Sequence, residues 1–199
     1  MAGFEQTILR CPRVTLRWLD EADAPFQLAL HADPQVMHFI NEPWTQLDEA
    51  HAAIEQAQAG YRDGSALVFG IELRETGQLI GNVNLHRFFE MNRRCEVGYA
   101  LLPEHQGRGY VAEALTALID YAFDELDLIR IEADINPRNT ASARVVERLG
   151  FRMEGYMPQR WIIRGERQDS VFYGLLKSYW DERTGRLGLL DAPIQPYPG

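Results

Sequence analysis

The segment Glu96-Val97-Gly98-Tyr99-Ala100-Leu101-Leu102-Pro103-Glu104-His105-Gln106-Gly107-Arg108-Gly109-Tyr110-Val111-Ala112-Glu113-Ala114 constrains the fold more than any other. Its first part reads as a β-strand. Its last part opens a helix with Val111, Ala114, Leu115, Leu118, Ile119 and Ala122 on one face. A strand that turns so tightly into a helix brings unpaired N–H groups of the first helical turn to the strand's end. Glycines at 107 and 109 keep side chains out of that corner, so the turn suits an anion such as a phosphate. Taken alone, the same glycines also fit a plain strand-to-helix connection.

The rest of the chain supplies elements around this joint. Val14–Leu19 alternates as a strand, and Asp20 caps a helix running to about His31, stopped at Asp33-Pro34. A second helix is predicted from Leu47 to Tyr61. Strands over Ala66–Leu73 and Leu79–Arg87 join through Glu75-Thr76-Gly77-Gln78, and Cys95–Leu102 is the strand that feeds the glycine turn. After the long helix, Leu128–Ile135 alternates again. Asn136-Pro137 then starts a helix that buries Val145, Val146 and Leu149 and stops at Gly150. Trp161–Arg164 and Asp169–Leu176 make a final hairpin about Gly165. The order β-α-α-β-β-β-α-β-α-β-β implies an α/β fold with a mixed sheet and helices on both faces. One domain is expected over 1–186, followed by a Pro/Gly-containing tail over 187–199. A dinucleotide fold would carry its glycines after the first strand, whereas these follow the fourth.

Composition narrows the function. A chain of 199 residues, 46% hydrophobic and 25% charged, is ordinary for a globular protein. No apolar run approaches the ~20 residues of a membrane span. Residues 1–13 hold Glu5, Arg10 and Arg13 without an apolar stretch, so no leader is expected. A net charge of -9 disfavours nucleic acid as a partner and draws cationic amines closer. Two cysteines, Cys11 and Cys95, fit a reducing cytoplasm. His31, His38, His51, His86 and His105 show no ligand spacing, so no metal is expected.

A second constellation sharpens the first. In Asn136-Pro137-Arg138-Asn139-Thr140-Ala141-Ser142, the spacing puts Asn139 and Ser142 on the face shared by Val146 and Leu149. Polar residues thus lead an inward stripe, though local capping accounts for them as well. Together, Glu-Val-Gly-Tyr…Pro-Glu-His-Gln-Gly-Arg-Gly-Tyr and Asn-x-x-Asn-x-x-Ser…Leu-Gly-Phe resemble the GNAT acetyltransferase superfamily. More narrowly, the chain is similar to the branch of the ribosomal-protein N-terminal acetyltransferases RimJ and RimL. The resemblance runs from Arg13-Val14-Thr15-Leu16-Arg17 through Gly81-Asn82-Val83 to Gly165-Glu166-Arg167-Gln168-Asp169…Tyr173-Gly174-Leu175-Leu176.

The resemblance implies acetyl-CoA as cosubstrate. Amides of Gln106 through Val111, including Gly107, Gly109 and Tyr110, would hold its pyrophosphate, with Arg108 as an ionic partner. Val111 departs from the small residue usual at that point. The fourth and fifth strands would splay and admit the pantetheine arm, giving contacts to Tyr99, Ala100, Leu101 and Leu102. One amide near Ala100 or Leu101 would polarise the thioester, because acyl transfer builds charge on the carbonyl oxygen. Asn139 would bond the pantetheine amides, and Ser142 would protonate the leaving sulfur. An attacking amine must first lose a proton. Glu96 is the candidate base, through a water, unless it is a carboxylate bonding a neighbouring strand. Asp169 reads as an acidic alternative or as a turn residue. Tyr173 is an alternative acid or a core aromatic.

Several other features carry two readings. Phe39, Trp44, Phe88, Phe89 and Met91 line an acceptor mouth or pack loops, and Asp48, Glu49 and Glu55 steer cations or solvate a helix. The implied activity is acetylation of a primary amine by direct attack in a ternary complex. The acceptor is a protein N-terminal α-amine, or else a small amine such as a polyamine, aminoglycoside or amino acid. A CoA-binding sensor without catalysis is the rival from another class. A nucleotide-binding enzyme would need the P-loop lysine, which is missing here. The resemblance leaves a homodimer open.

Overall fold

The computed structural model describes residues 3–184, so the expected tail over 187–199 lies outside the described residues. A two-residue strand, β1 (Leu9–Arg10), pairs with β2 (Val14–Trp18). Next come α1 (Ala24–Ala32), α2 (Leu47–Asp63), β3 (Ala66–Leu73), β4 (Leu79–Phe89) and β5 (Arg94–Leu101). The glycine turn leads into α3 (Tyr110–Asp124), followed by β6 (Arg130–Ile135), α4 (Thr140–Arg148), β7 (Arg152–Ile163), β8 (Glu166–Leu176) and α5 (Lys177–Thr184). The strands form one sheet in the order β1-β2-β3-β4-β5-β6-β8-β7. All neighbours are antiparallel except β5 and β6, which run parallel.

That parallel pair positions the site. Its register covers only Arg94, Cys95 and Glu96 against Arg130, Ile131 and Glu132. From Val97 onward β5 keeps β4 as partner, through Leu101 opposite Gly81, while β6 continues with β8 alone. The sheet therefore opens between its central strands, as the resemblance implied.

Alternation along β5 sorts the helices onto two faces. Ala100 packs with Leu30 of α1 and with Val36 and Met37, whereas the Tyr99 hydroxyl reaches Ser142 of α4. Consecutive strand residues point to opposite faces, so α1 and α4 lie on opposite sides of the sheet. On the α3–α4 side Leu115, Leu118, Ile119 and Ala122 are sealed against Leu16, Phe69, Ile71, Val83 and Ile131, all fully buried. On the other side Leu19, Ala24, Ala50, Ile54 and Leu79 form a smaller cluster between α1, α2 and the sheet. Both cysteines are buried and free, and burial pushes the Cys11 thiol up to about 11. Among the described residues no helix is long and apolar enough to cross a membrane.

Four local expectations are corrected. The helix predicted from Asp20 begins as a 3-10 turn, Glu21–Asp23, with a reciprocal Asp20–Asp23 capping box, before α1 starts beside Pro25. Asp23 is also drawn to the Arg17 guanidinium at 2.7 and 2.8 Å, which fixes this turn against β2. Asn136 does not cap α4. Its side chain instead accepts from the Arg138 amide at 2.9 Å and its carbonyl from the Asn139 amide at 2.8 Å, so the helix begins at Thr140 with Asn139 as cap. The strand predicted over Trp161–Arg164 is only the end of β7. This edge strand is mostly exposed and broken by register shifts at Met153/Gly155 and Met157/Trp161, so it lacks the alternation that marks a half-buried strand. Helix α5 was not expected. It is polar, but Trp180 is buried and donates to Asp120 of α3 at 2.8 Å.

Candidate active site

The glycine turn is built by its backbone. Pro103–His105 forms a single 3-10 turn, and Gly107 and Gly109 then take φ of 73° and 81°, where an L side chain is strained. Gly109 is the N-cap of α3 and offers no capping side chain, so the amides of Tyr110, Val111 and Ala112 have no partner inside the helix. The Gln106 amide differs from the expectation, because it donates to the Pro103 carbonyl at 3.1 Å. Its side chain works at the strand instead, where Nε2 donates to the Leu101 carbonyl at 3.0 Å and clamps the turn to the end of β5. The Arg108 side chain is exposed at the mouth of the turn, and Val111 is half-buried against the core.

Arg13, singled out in sequence only as the start of the resemblance, braces this corner. Its Nη1 donates to the Arg108 carbonyl at 2.9 Å, its Nε meets Glu113 at 2.7 Å, and its guanidinium lies 4.7 Å from the centre of the Tyr110 ring. It therefore brings positive charge to the helix N-terminus and holds the turn's shape. Arg13→Ala is expected to weaken acetyl-CoA binding about tenfold, about 1.4 kcal/mol, with kcat nearly unchanged. Calorimetric titration beside steady-state rates checks both halves of that expectation.

The edge of β5 beyond Glu96 is left open by β6. The Leu102 amide donates to the Ile80 carbonyl at 2.9 Å, which makes Leu102 and Ala100 the residues that exchange bonds with β4. By alternation, Tyr99 and Leu101 direct their amides toward the gap. The Ala100 amide is thus committed to β4, and of the two amides offered by the resemblance only that of Leu101 faces the gap. Beyond the gap, Asn139 caps α4 by accepting from the Ser142 amide at 3.1 Å, and its Nδ2 has no partner among the described residues. The Ser142 hydroxyl lies 2.6 Å from the Tyr99 hydroxyl. Burial pushes Tyr99 up to about 12, so it stays protonated and able to donate at neutral pH. Tyr173 does not reach this pair; it is buried and bonds Glu147 of α4 at 3.2 Å.

The other face of the same strands is polar. Glu96, Gly98 and Ala100 of β5 stand opposite His86, Asn84 and Asn82 of β4. Glu96 is buried at 7% exposure and ion-paired with Arg87 at 2.9 Å. Farther across the sheet Glu132 holds Arg94 and Arg130, Glu154 holds Arg130, and Asp134 holds Arg160 at 3.1 Å. Trp161 was placed in sequence only as a strand residue. Here it bonds Asp134 through Nε1 at 3.1 Å and lies against the guanidiniums of Arg87 and Arg160. Asp169 lies within β8, not at the turn, and accepts from the Tyr156 hydroxyl and the Gln159 amide, so it braces the irregular stretch of β7 beside it. At the hairpin tip Arg164 meets Glu42 at 3.8 Å, so the tip and the connection between α1 and α2 bound this face from two sides.

Trp44 stacks on His31, and Phe89 carries the Arg94 guanidinium at 3.8 Å. Met91 is almost fully exposed. Two surface cavities of about 570 and 620 Å3 lie along the N-terminal segment, and neither is lined by these residues. Among the described residues no group of three or more His, Cys, Asp or Glu is arranged to hold a metal ion.

A sheet split beside a free helix N-terminus leaves the edge of one strand and a set of unpaired amides open at the same corner. The acetyltransferase (GNAT) domain family matches residues 13–152, and the chain belongs to that family. It is an N-acetyltransferase whose acetyl donor is acetyl-CoA. The chain is 34% identical over 166 residues to p20, an uncharacterised N-acetyltransferase of Bacillus licheniformis, covering 83% of this chain and 93% of the relative. It is 31% identical over 193 residues to the [ribosomal protein uS5]-alanine N-acetyltransferase of Escherichia coli K12, covering 90% and 98%. Among solved structures, the spermidine N-acetyltransferase of Vibrio cholerae in complex with CoA and spermine superposes with a TM-score of 0.76 at 28% identity. That match covers 84% of this chain and 98% of the other. The likeness to the ribosomal-protein branch therefore stands.

Proposed function

We propose that the chain acetylates the α-amino group of a protein N-terminus by direct attack on acetyl-CoA in a ternary complex. One observation carries the choice of acceptor. The carboxylates of the polar face are each paired with arginine: Glu96 with Arg87, Glu132 with Arg94 and Arg130, Glu154 with Arg130, and Asp134 with Arg160. A polyamine needs a run of unneutralised carboxylates to replace the water around its separated charges. A peptide end carries a single amine, followed by amides that suit mixed donors and acceptors. The Escherichia coli relative, named for a ribosomal-protein alanine, supports the same class, while the Vibrio cholerae protein keeps the small amine as the alternative.

In this reading the donor's pyrophosphate rests on the amides of Gly107 through Val111, with Arg108 beside it, and the pantetheine arm lies along Tyr99, Ala100, Leu101 and Leu102. Asn139 offers its free Nδ2 to that arm. The Leu101 amide stabilises charge on the thioester oxygen, and Ser142, supported by Tyr99, supplies a proton to the leaving sulfur. The ammonium of the acceptor gives up its proton at the Glu96 end of the face.

Thiol release from acetyl-CoA tests the acceptor. The panel comprises peptides with a free N-terminal alanine or serine, the same peptides with a blocked terminus, and spermidine. Turnover of the free peptides alone is expected, and preference for spermidine would overturn the reading. CoA binding with no turnover on any amine would instead favour a sensor. Glu96→Gln is expected to lower kcat about tenfold or more, with acetyl-CoA affinity held within about twofold.

A further inference from the structure

The polar face holds an imidazole with a defined job. His86 Nδ1 lies 2.8 Å from Asn84 Oδ1, an atom that can only accept, so Nδ1 carries the hydrogen and Nε2 keeps its lone pair. That Nε2 is 3.8 Å from Glu96 Oε2. Gly98 leaves the room that Asn84 occupies, since a Cβ there would come within 2.9 Å of Oδ1 and displace the amide. Gly98, Asn84, His86 and Glu96 thus form one chain of contacts across β4 and β5. The Glu96 carboxylate is meanwhile occupied by Arg87.

We propose that His86 takes the proton from the acceptor ammonium, directly or through one water, and that Glu96 steadies the imidazolium that results. The assignment rests on the acetyl-transfer reading above. The ammonium's N–H bond breaks and its electron pair returns to nitrogen, while the Nε2 lone pair forms the new N–H bond. The free amine attacks the thioester carbon as the carbon–sulfur bond breaks. The second proton leaves the new amide nitrogen and reaches the sulfur by way of the Ser142 hydroxyl, which gives one proton and takes one back, and the first passes from His86 to water through its exposed edge, the side chain being 37% accessible. Amide, CoA thiol and one released proton balance the reaction.

Burial and two charged neighbours set the behaviour of this imidazole. Burial lowers its pKa from 6.5, Glu96 on β5 raises it, and Arg87 beside it on β4 lowers it; the residue opposite on β3 is Ala66. The net shift is downward, so His86 is neutral at pH 7 and ready to accept. A base must be unprotonated to act, so kcat at saturating acceptor should be level near pH 7 and fall as pH drops below about 6.5.

The decisive experiment measures that acid limb on whichever amine of the panel turns over fastest. His86→Gln should lower kcat about 100-fold and abolish the limb. Glu96→Gln should keep the limb but move it to lower pH, because the charge that favours the imidazolium is gone. Asn84→Asp preserves the tautomer, adds an anion at Nδ1, and should move the limb to higher pH. Long-range proton–nitrogen NMR of the free protein gives a readout independent of turnover. It should show hydrogen on Nδ1 at pH 8, a midpoint below 6.5, and a raised midpoint in Asn84→Asp. Hydrogen on Nε2, or a folded His86→Gln enzyme with the native rate and limb, would overturn the assignment to His86. So would a limb that vanishes in Glu96→Gln while persisting in His86→Gln. A native enzyme inactive on every amine would instead overturn the acetyl-transfer reading itself.

Discussion

Gly109→Val is expected to weaken acetyl-CoA binding about 100-fold, about 2.7 kcal/mol, while the chain stays folded. The residue sits at φ 81° as the N-cap of α3, a backbone shape that costs a side chain about 1–2 kcal/mol and a β-branched one more. A Cβ there would also meet Arg13 Nη2 at 3.4 Å, so the brace on the turn has to move. The turn can relieve this only by rotating the amides that face the donor's phosphates. Gly77→Val is the matched control. Gly77 has φ 71° in the β3–β4 turn with nothing within 4 Å of its Cβ, so it carries a similar backbone penalty far from the site. Thermal unfolding should register both variants alike, whereas calorimetry should find the binding loss in Gly109→Val alone. Equal affinity in the two would remove the turn from the donor site.

Phe123→Ala should produce the largest loss of stability. Phe123 is 2% exposed in the last turn of α3 and belongs to the principal core, where truncation of a large aromatic costs about 3–5 kcal/mol. At about 2–4 °C per kcal/mol for a chain of this size, Tm should fall by about 6–20 °C. The effect reaches the site because α3 is anchored at this end and presents its free amides at the other. Donor binding should accordingly raise the variant's Tm, with the shift growing with acetyl-CoA concentration as mass action requires. A change below about 1 kcal/mol would show that the core closes around the deletion.

The parts of this fold that were legible in sequence are those written by local chemistry. The glycine turn, the apolar face of α3 and the Gly77 hairpin announce themselves through residue type and spacing, and each lies where expected. The edge strand β7 was only half visible, because an exposed strand carries no buried stripe to reveal its period. Asn136 has the composition of a cap, yet its side chain closes a turn with Arg138 and leaves the cap to Asn139. Within the site, Asn139 and Ser142 stood out as polar residues leading an apolar stripe, and Glu96 came from the resemblance. Their partners did not. Arg13 meets Glu113 from a hundred positions away, and His86 finds Glu96 only through the register of β4 on β5. Trp161 joins Arg87 in the same manner, from the far end of the sheet. Long-range pairing of this kind has no signature in the linear sequence.

The short register between β5 and β6 leaves a slot with His86 and Glu96 on one lip and Asp134 and Trp161 on the other. One core runs unbroken beneath both lips, from Val83 and Leu101 to Ile131 and Ala133. The Arg87 guanidinium against the Trp161 ring ties the lips again above it. The width of the slot is therefore built into the fold, and a long flexible arm laid into it meets strands that need no rearrangement.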